Sequence, residues 1–365
     1  MTRLLLAGGG TGGHLMPALA LADAIAALRP DVEPVLVGAA RGVEATILPG
    51  RAYRYYLLPA EPIYRRTWWR NARWPLLVPR LWGAARRVLR TERPSLAVGT
   101  GGYASGPVLL AAHLGGIPIA LQEQNALPGV TTRWLARWAR QIHLGFPEAE
   151  RRLRVGRHTA VHAFGNPIVP PVVQDRATAR RSLGLDPHRP VLLVMGGSQG
   201  SRTINRALAE VIDSGALGRS AVLWSTGAGT LDAFRPYHRP PEVQVRPFWD
   251  PISEAYAAAD LVIARAGAMT LAELSAWGLP SILIPLPTAA TDHQTANARA
   301  LEAAGAALHL PESRLSGPTL ARLSGELLAD RARLTGMAQA ARARGRPDAA
   351  RAIAAALLGL LDGSR

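Results

Sequence analysis

The 365-residue chain has no cysteine. Disulfides, thiolate zinc sites, iron–sulfur clusters and thiol nucleophiles are therefore excluded, and nothing points to an oxidising compartment. Lysine is absent as well, so all 42 basic side chains are arginine. That removes a Walker-type phosphate lysine, a Schiff-base lysine and a lysine general base. Long hydrophobic runs are also missing: no uninterrupted apolar stretch approaches the ~18 residues of a membrane-spanning helix. Before the first glycine cluster stands only Leu4-Leu5-Leu6-Ala7, too short for the apolar core of a signal peptide. A soluble, cytoplasmic protein is expected, with attachment to a membrane surface left open.

What is present is a surplus of positive charge. Against 42 arginines stand 26 acidic residues, a formal net charge of +16. Arginine stays charged at any working pH, so a permanently anionic partner is expected: nucleic acid, a membrane face or a phosphorylated ligand. An apolar content of 48% supports real cores. At roughly 100–200 residues per domain the length suggests two domains.

The apolar run at 4–7 ends in Gly8-Gly9-Gly10-Thr11-Gly12-Gly13-His14, and an apolar-periodic segment follows over 17–28. This reads as strand, glycine loop, helix. Further short strands are predicted over 34–37, 95–98 and 117–121. The last two close on Gly99-Thr100-Gly101-Gly102 and on Gln122-Glu123-Gln124-Asn125. The pattern restarts with a strand over 190–195, the loop Gly196-Gly197-Ser198-Gln199-Gly200 and a helix over 201–211. Strands follow over 221–225, 243–247, 261–264 and 281–284. Alternating strands and helices give an α/β fold class with two doubly wound parallel-sheet halves. The expected domains are 1–164 and 165–345, with a helix over 346–365. The Pro- and Val-rich stretch 165–174 reads as the linker.

Gly8, Gly10 and Gly13 match G-x-G-x-x-G after a strand. A dinucleotide site also needs an acid at the end of the second strand, where this chain has Gly38-Ala39-Ala40, so NAD loses support. The loop either admits an anionic or sugar ligand at a helix N-terminus or simply makes a tight strand–helix turn. The second loop suits a diphosphate better, because backbone N–H groups and a helix dipole neutralise charge without lysine or metal. No metal-ligand cluster with usable spacing occurs among the nine histidines.

Five segments stand in a telling order: Gly9 to His14, Gly101-Gly102-Tyr103-Ala104-Ser105-Gly106-Pro107, Glu123-Gln124-Asn125, Gly196 to Gly200, and Arg265-Ala266-Gly267-Ala268-Met269-Thr270-Leu271-Ala272-Glu273. Together they resemble the MurG family, bacterial transferases of glycosyltransferase family 28 in the GT-B superfamily. The likeness runs from residue 4 to about residue 310. It implies two Rossmann-like domains facing a cleft, and an inverting transfer of GlcNAc from UDP-GlcNAc to the C4 hydroxyl of MurNAc in lipid I, giving lipid II and UDP. No cofactor is implied beyond the substrate UDP-GlcNAc. The N-terminal domain would hold the lipid acceptor, the C-terminal domain the UDP-sugar, and the last helix would cross back to the first domain.

The resemblance also assigns residues. His14, with an ordinary pKa of about 6.5, would be the general base or a positioning donor, against its reading as a plain helix-start histidine. Glu123 would support proton transfer, and Asn125 would contact the donor sugar or order the cleft. Glu273 would accept both ribose hydroxyls; without the family it is an acid complementing the first turn of a helix. Ser198 and its neighbouring amides would take the diphosphate and Arg265 would add charge. Trp249 in Phe248-Trp249-Asp250 would read the uracil edge through its backbone, and Asp292, His293 and Gln294 would read the GlcNAc hydroxyls. Thr11, Gly12, Gly13, Tyr103, Asn166, Gln199, Ala268, Met269 and Thr270 complete the substrate-binding set. Three positions depart from the family pattern: Thr295 where a second glutamine is frequent, Val169 where arginine is common, and Ala266 in place of serine. They bear on sugar contacts more than on nucleotide contacts.

Four of the nine tryptophans and eight arginines fall between Tyr64 and Arg90. Tryptophan prefers the membrane interface and arginine meets anionic headgroups. Trp68, Trp69, Arg70, Arg73, Trp74 and Trp82 are therefore expected at the cytoplasmic face of the cell membrane, as part of a peripheral protein. Pro75 and Pro79 argue against one continuous helix there. Trp134 and Trp138 either extend this surface or form a core-facing stripe. Partners expected from the resemblance are UDP-GlcNAc, lipid I, the anionic membrane and other cell-wall synthesis proteins, and not nucleic acid. The rivals are another GT-B enzyme, such as a UDP-GlcNAc 2-epimerase or a soluble glycosyltransferase, and more remotely a basic nucleic-acid-binding protein.

Overall fold

Parallel strands buried on both faces are built from continuous apolar runs rather than alternating ones. Both sheets of this protein, seen in a computed structural model, follow that rule. The structure describes residues 2–62, 64, 67–172, 174–197 and 199–362, with the side chains of Trp68, Arg70 and Ala290 left aside. The chain divides into two units, Met1–Val169 with Asp348–Arg365, and Pro170–Pro347.

Among the described residues the first unit holds one seven-stranded sheet. Its strands are β1 (Thr2–Gly8), β2 (Val32–Ala39), β3 (Arg54–Leu58), β4 (Leu96–Gly101), β5 (Ile119–Glu123), β6 (Gln141–Leu144) and β7 (Ala160–His162). They lie in the order β3-β2-β1-β4-β5-β6-β7, every pair parallel. Leu4, Leu5 and Leu6 are fully buried, Leu5 in the core on one face and Leu4 and Leu6 in the core on the other. Successive side chains of a strand point to opposite faces, so both faces must be covered. The helices Gly12–Leu28 and Ala349–Asp362 cover the second, the latter through Ile353, Leu357 and Leu358.

The second unit repeats the plan with β8 (Val191–Met195), β9 (Ala221–Ser225), β10 (Val243–Arg246), β11 (Leu261–Ala264), β12 (Ser281–Leu283) and β13 (Ala307–His309). The order is β10-β9-β8-β11-β12-β13, again parallel. Trp224 is fully buried there, its indole N–H donating to Asn205 Oδ1 at 2.9 Å.

In each sheet the order turns back beside the first strand, between β1 and β4 and between β8 and β11. Open α/β sheets bind ligands outside the carboxyl ends of strands at such a switch point. The register sets Gly8 against Gly101 and Met195 against Ala264, so both glycine loops open there.

Several sequence expectations shift. The first helix begins at Gly12 rather than Pro17, which puts His14 in its first turn. The strands β3, β6, β7 and β13 were not expected. β3 and β7 are short edge strands carrying arginine, tyrosine and histidine, which an edge tolerates. A single helix, Trp74–Glu92, runs through Pro79. Pro75 sits in the first turn, where no N–H bond is needed, and Pro79 forgoes only the bond back to residue 75. Asn166 is buried and bonded within the first unit, so the segment after it passes to the second unit only at Pro170.

On β6, His143 is fully buried and packs against the stacked pair His162 and Phe164, with ring centroids 5.6 and 5.8 Å away. Burial, helped by the nearby His162, pushes its imidazole down to about 3. The unfolded chain, with an ordinary histidine near about 6.5, binds a proton that the folded chain refuses. Stability is therefore intact above pH ~6.5 and declines as pH falls toward the folded value. Denaturant midpoints of the first unit should drop between pH 7 and pH 4, and His143→Phe should lessen that drop. An equal drop in the variant would contradict this.

Candidate active site

At the first switch point two glycines make room for side chains. Gly10 has φ +97°, and a Cβ there would strike the ring of Tyr103. Gly101 has φ +92°, and a Cβ there would lie 2.7 Å from Nδ1 of His14. Left-handed backbone and close approach both demand glycine. His14 is thus seated against the end of β4. Its Nδ1 lies 3.1 Å from the Thr100 carbonyl and 3.2 Å from Gln124 Oε1. A carbonyl can only accept, so Nδ1 carries the ring proton and Nε2 is the basic nitrogen of the neutral imidazole.

Glu123, at the end of β5, is buried. Its Oε1 accepts from the Asn125 backbone N–H at 3.1 Å and the Asn125 side-chain amide at 3.2 Å, and its Oε2 from Gly129 N–H at 3.0 Å. Both oxygens brace the loop after β5. Glu123 thus positions Asn125, which is half-buried. Thr11 and Gly13 are exposed and Gly12 half-buried at the helix start, where the Thr11 side chain makes no capping bond.

Glu44 was not singled out in the sequence. Glu44 is fully buried five positions after β2, and its Oε1 accepts from Gly10 N–H at 2.7 Å and Ala39 N–H at 2.8 Å. Cβ atoms on Gly9, Gly38 or Gly42 would collide with it. The chain's own buried carboxylate therefore occupies an amide of the first loop. An acid just past a Gly-Ala-Ala-Arg-Gly strand end was the available signal.

In the second unit, Ser198 lies outside the described residues. Gln199 is exposed, and Ser201 caps the helix Arg202–Asp213. Arg265 is buried and donates to Ser201 Oγ at 2.7 Å, Thr203 Oγ1 at 2.9 Å, and the Ile284 and Pro285 carbonyls at 3.2 and 3.1 Å. It also pairs with Glu312. This neutralised arginine ties the two loops of the switch point together and offers little spare charge to a ligand. The helix Ala268–Trp277 starts after Gly267 with no side-chain cap, its first residues Ala268 buried and Met269 and Thr270 half-buried.

Glu273 lies in the second turn of that helix, not the first, so dipole complementation does not account for it. Burial raises its carboxyl above the usual range, partly offset by Tyr256, whose hydroxyl donates to Oε2 at 2.8 Å. Trp249 is buried under Arg246, whose guanidinium carbon is 4.1 Å from the ring centroid, while Phe248 is 44% exposed. Thr291 and Asp292 both hold left-handed backbone, at φ +56° and +57°. A β-branched residue there is strained, and such strain clusters at ligand sites. Thr295 donates to Asp292 Oδ1 at 2.6 Å, so this departure from the family pattern supports the loop. Gln294 Oε1 accepts from Leu286 N–H at 2.9 Å, and His293 is half-buried beside it. Buried Asn297, also missed, donates to the Ala266 carbonyl at 3.2 Å.

Of the expected membrane residues, Trp69 is 60% exposed and Arg73 is exposed, while Trp74 and Trp82 are half-buried. Trp82 packs against the core. Leu76, at 70%, and Val78 are exposed on the same helix. Trp138 also packs on the core and stacks on His113, whereas Trp134 is exposed. Among the described residues no helix is long and apolar enough to cross a membrane.

The sequence model of the glycosyltransferase family 28 N-terminal domain matches residues 4–144, and that of its C-terminal domain matches 191–353. A curated relative from Moorella thermoacetica is 42% identical, with 98% of each chain covered. One from Salinibacter ruber is also 42% identical, over 98% of this chain and 97% of its own. Both are named UDP-N-acetylglucosamine–N-acetylmuramyl-(pentapeptide) pyrophosphoryl-undecaprenol N-acetylglucosamine transferase. The crystal structure of Acinetobacter baumannii MurG is similar with a TM-score of 0.77 at 26% identity, covering 98% of this chain and 99% of that one.

Removing Glu44 leaves two buried N–H groups unpaired. Glu44→Ala should cost about 2–4 kcal/mol in chemical denaturation, and the isosteric Glu44→Gln, which keeps the acceptor, about 1 kcal/mol or less. Equal stability of the alanine variant and wild type would refute the bracing role.

Proposed function

The chain belongs to glycosyltransferase family 28, with the GT-B fold, and on that premise we infer that it moves GlcNAc from UDP-GlcNAc to lipid I, giving lipid II and UDP. The observation that carries this is the match at 42% identity, over almost the whole length, to relatives named for that one transfer.

The residues are assigned as follows. The acceptor is the C4 hydroxyl of MurNAc, handled by the first unit. Its oxygen forms the new bond to the anomeric carbon from the side opposite the diphosphate, which inverts configuration. The bond from that carbon to the diphosphate oxygen breaks, and UDP leaves with the electron pair. Nε2 of His14 takes the hydroxyl proton, a role supported by the donor bonds that commit Nδ1. The second unit holds the donor. Loop amides after β8 and the N-terminal end of the helix Ala268–Trp277 meet the diphosphate charge, without a metal or cofactor. Glu273, steadied by Tyr256, accepts the ribose hydroxyls. Phe248-Trp249-Asp250 flanks the base, and Asp292 to Gln294 read the sugar.

We also infer that the protein sits peripherally on the cytoplasmic face of the membrane, where an undecaprenyl substrate is found. Supporting this are exposed Trp69, Leu76 and Val78 on a segment that also exposes Arg73, Arg80 and Arg87.

With labelled UDP-GlcNAc and a lipid I analogue, wild type should form the disaccharide product. His14→Ala should lose about 10²–10⁴-fold in kcat. Glu273→Gln should act mainly through a higher KM for UDP-GlcNAc. No transfer to any lipid I analogue would remove the function, and undiminished transfer by both variants would remove the site. For the membrane surface, binding to anionic vesicles should weaken with salt, and Arg73→Gln with Arg80→Gln should weaken it about tenfold or more, at ~1 kcal/mol per arginine. Equal binding to neutral vesicles would contradict the assignment.

A further inference from the structure

Behind His14 lies a row of buried amide side chains that no catalytic step above uses. Gln122 and Gln124 stand on and just past β5, and Asn166 follows β7; each is no more than 2% exposed. Such amides are costly to bury unless every group is paired. Their pairing has one direction. Asn166 Nδ2 donates to the Gln124 carbonyl at 3.0 Å, and Asn166 Oδ1 accepts from Gln122 Nε2 at 3.0 Å. With its nitrogen so used, Gln122 turns Oε1 toward Gln124 and accepts from Gln124 Nε2. That same nitrogen donates to the Thr100 carbonyl at 2.7 Å and to the Gln122 carbonyl at 3.2 Å. Gln124 Oε1 is thereby left pointing at His14 Nδ1, 3.2 Å away. If Gln124 were flipped, its amide nitrogen would meet a ring nitrogen that must already donate to the Thr100 carbonyl.

We propose that this Asn166–Gln122–Gln124 chain is a positioning relay that, together with the Thr100 carbonyl, holds the proton of neutral His14 on Nδ1, so that Nε2 is the basic nitrogen of the ring. The proposal rests on His14 acting as the base. It serves the purpose of the buried carboxylate in a Ser-His-Asp triad, which holds the imidazole in one tautomer and orientation. Here the acceptors are neutral, so the tautomer is set without a charge that would stabilise the imidazolium and hold the base protonated.

The test is ¹⁵N NMR of the histidine rings in the full-length protein, with the His14 signals identified by their loss in His14→Asn. In wild type at a pH where the ring is neutral, Nδ1 should be protonated and Nε2 bare. Gln124→Met, close in volume and at most a weak acceptor, should weaken the preference for the proton on Nδ1 and lower kcat about 10- to 100-fold, the usual scale for residues that orient a functional side chain. Gln124→Glu restores the acceptor with a charge that favours the imidazolium, so the acidic limb of the kcat profile should move to higher pH. A wild-type ring protonated on Nε2 would overturn the relay, whatever the variants do. So would unchanged tautomers and kcat in Gln124→Met, or an unmoved limb in Gln124→Glu. The ring spectrum needs no substrate, so failure of lipid I transfer would strike the functional reading and leave this result standing.

Discussion

The carbonyl of Thr100 accepts from both His14 Nδ1 and Gln124 Nε2, and the arrangement of the first site depends on it. It stands near the end of β4, beside the switch point, and links the helix after β1 to the loop after β5. Because a carbonyl has no proton to give, it acts with Gln124 Oε1 to favour the His14 tautomer that carries its proton on Nδ1. Gly101 beside it must be glycine for the ring to approach. The sheet order places the base and the backbone tie, and the pairing follows.

A chain without lysine must manage anions by other means, and the two glycine loops manage them differently. The first is answered from within, because Glu44 accepts from the Gly10 amide and a phosphate finds that position taken. The second has no such internal carboxylate among the described residues. There Arg265 is balanced by Glu312 and serves as a tie between loops. In the function proposed above, the anionic ligand goes to the second unit and the hydroxyl chemistry to the first. The net charge of +16 is thus largely a surface property, with exposed arginines along the 67–92 segment among its contributors.

The sheets and their glycine loops were legible because a buried parallel strand is an apolar run and a switch-point loop needs glycine. The positions of His14 and Tyr103 at the first switch point were legible because they stand beside glycines that this turn requires. Buried polar residues were not. Glu44, Gln122, Gln124 and Asn297 look like ordinary loop polarity until the fold shows which N–H or carbonyl each one meets. For the same reason sequence does not reveal that Glu123 also holds Asn125 and Gly129, or that Arg265 also pairs with Glu312. The edge strands β3 and β7 escaped because edges tolerate polar residues. Pro79 misled because a proline near a helix start costs only one hydrogen bond.

The pH dependence of kcat, at saturating UDP-GlcNAc and lipid I analogue, tests whether Nε2 of His14 takes the proton during GlcNAc transfer. If it does, kcat falls on the acidic side with the loss of one ionisation, and the residual activity of His14→Ala lacks this limb. A flat wild-type profile, or the same limb in His14→Ala, would contradict it.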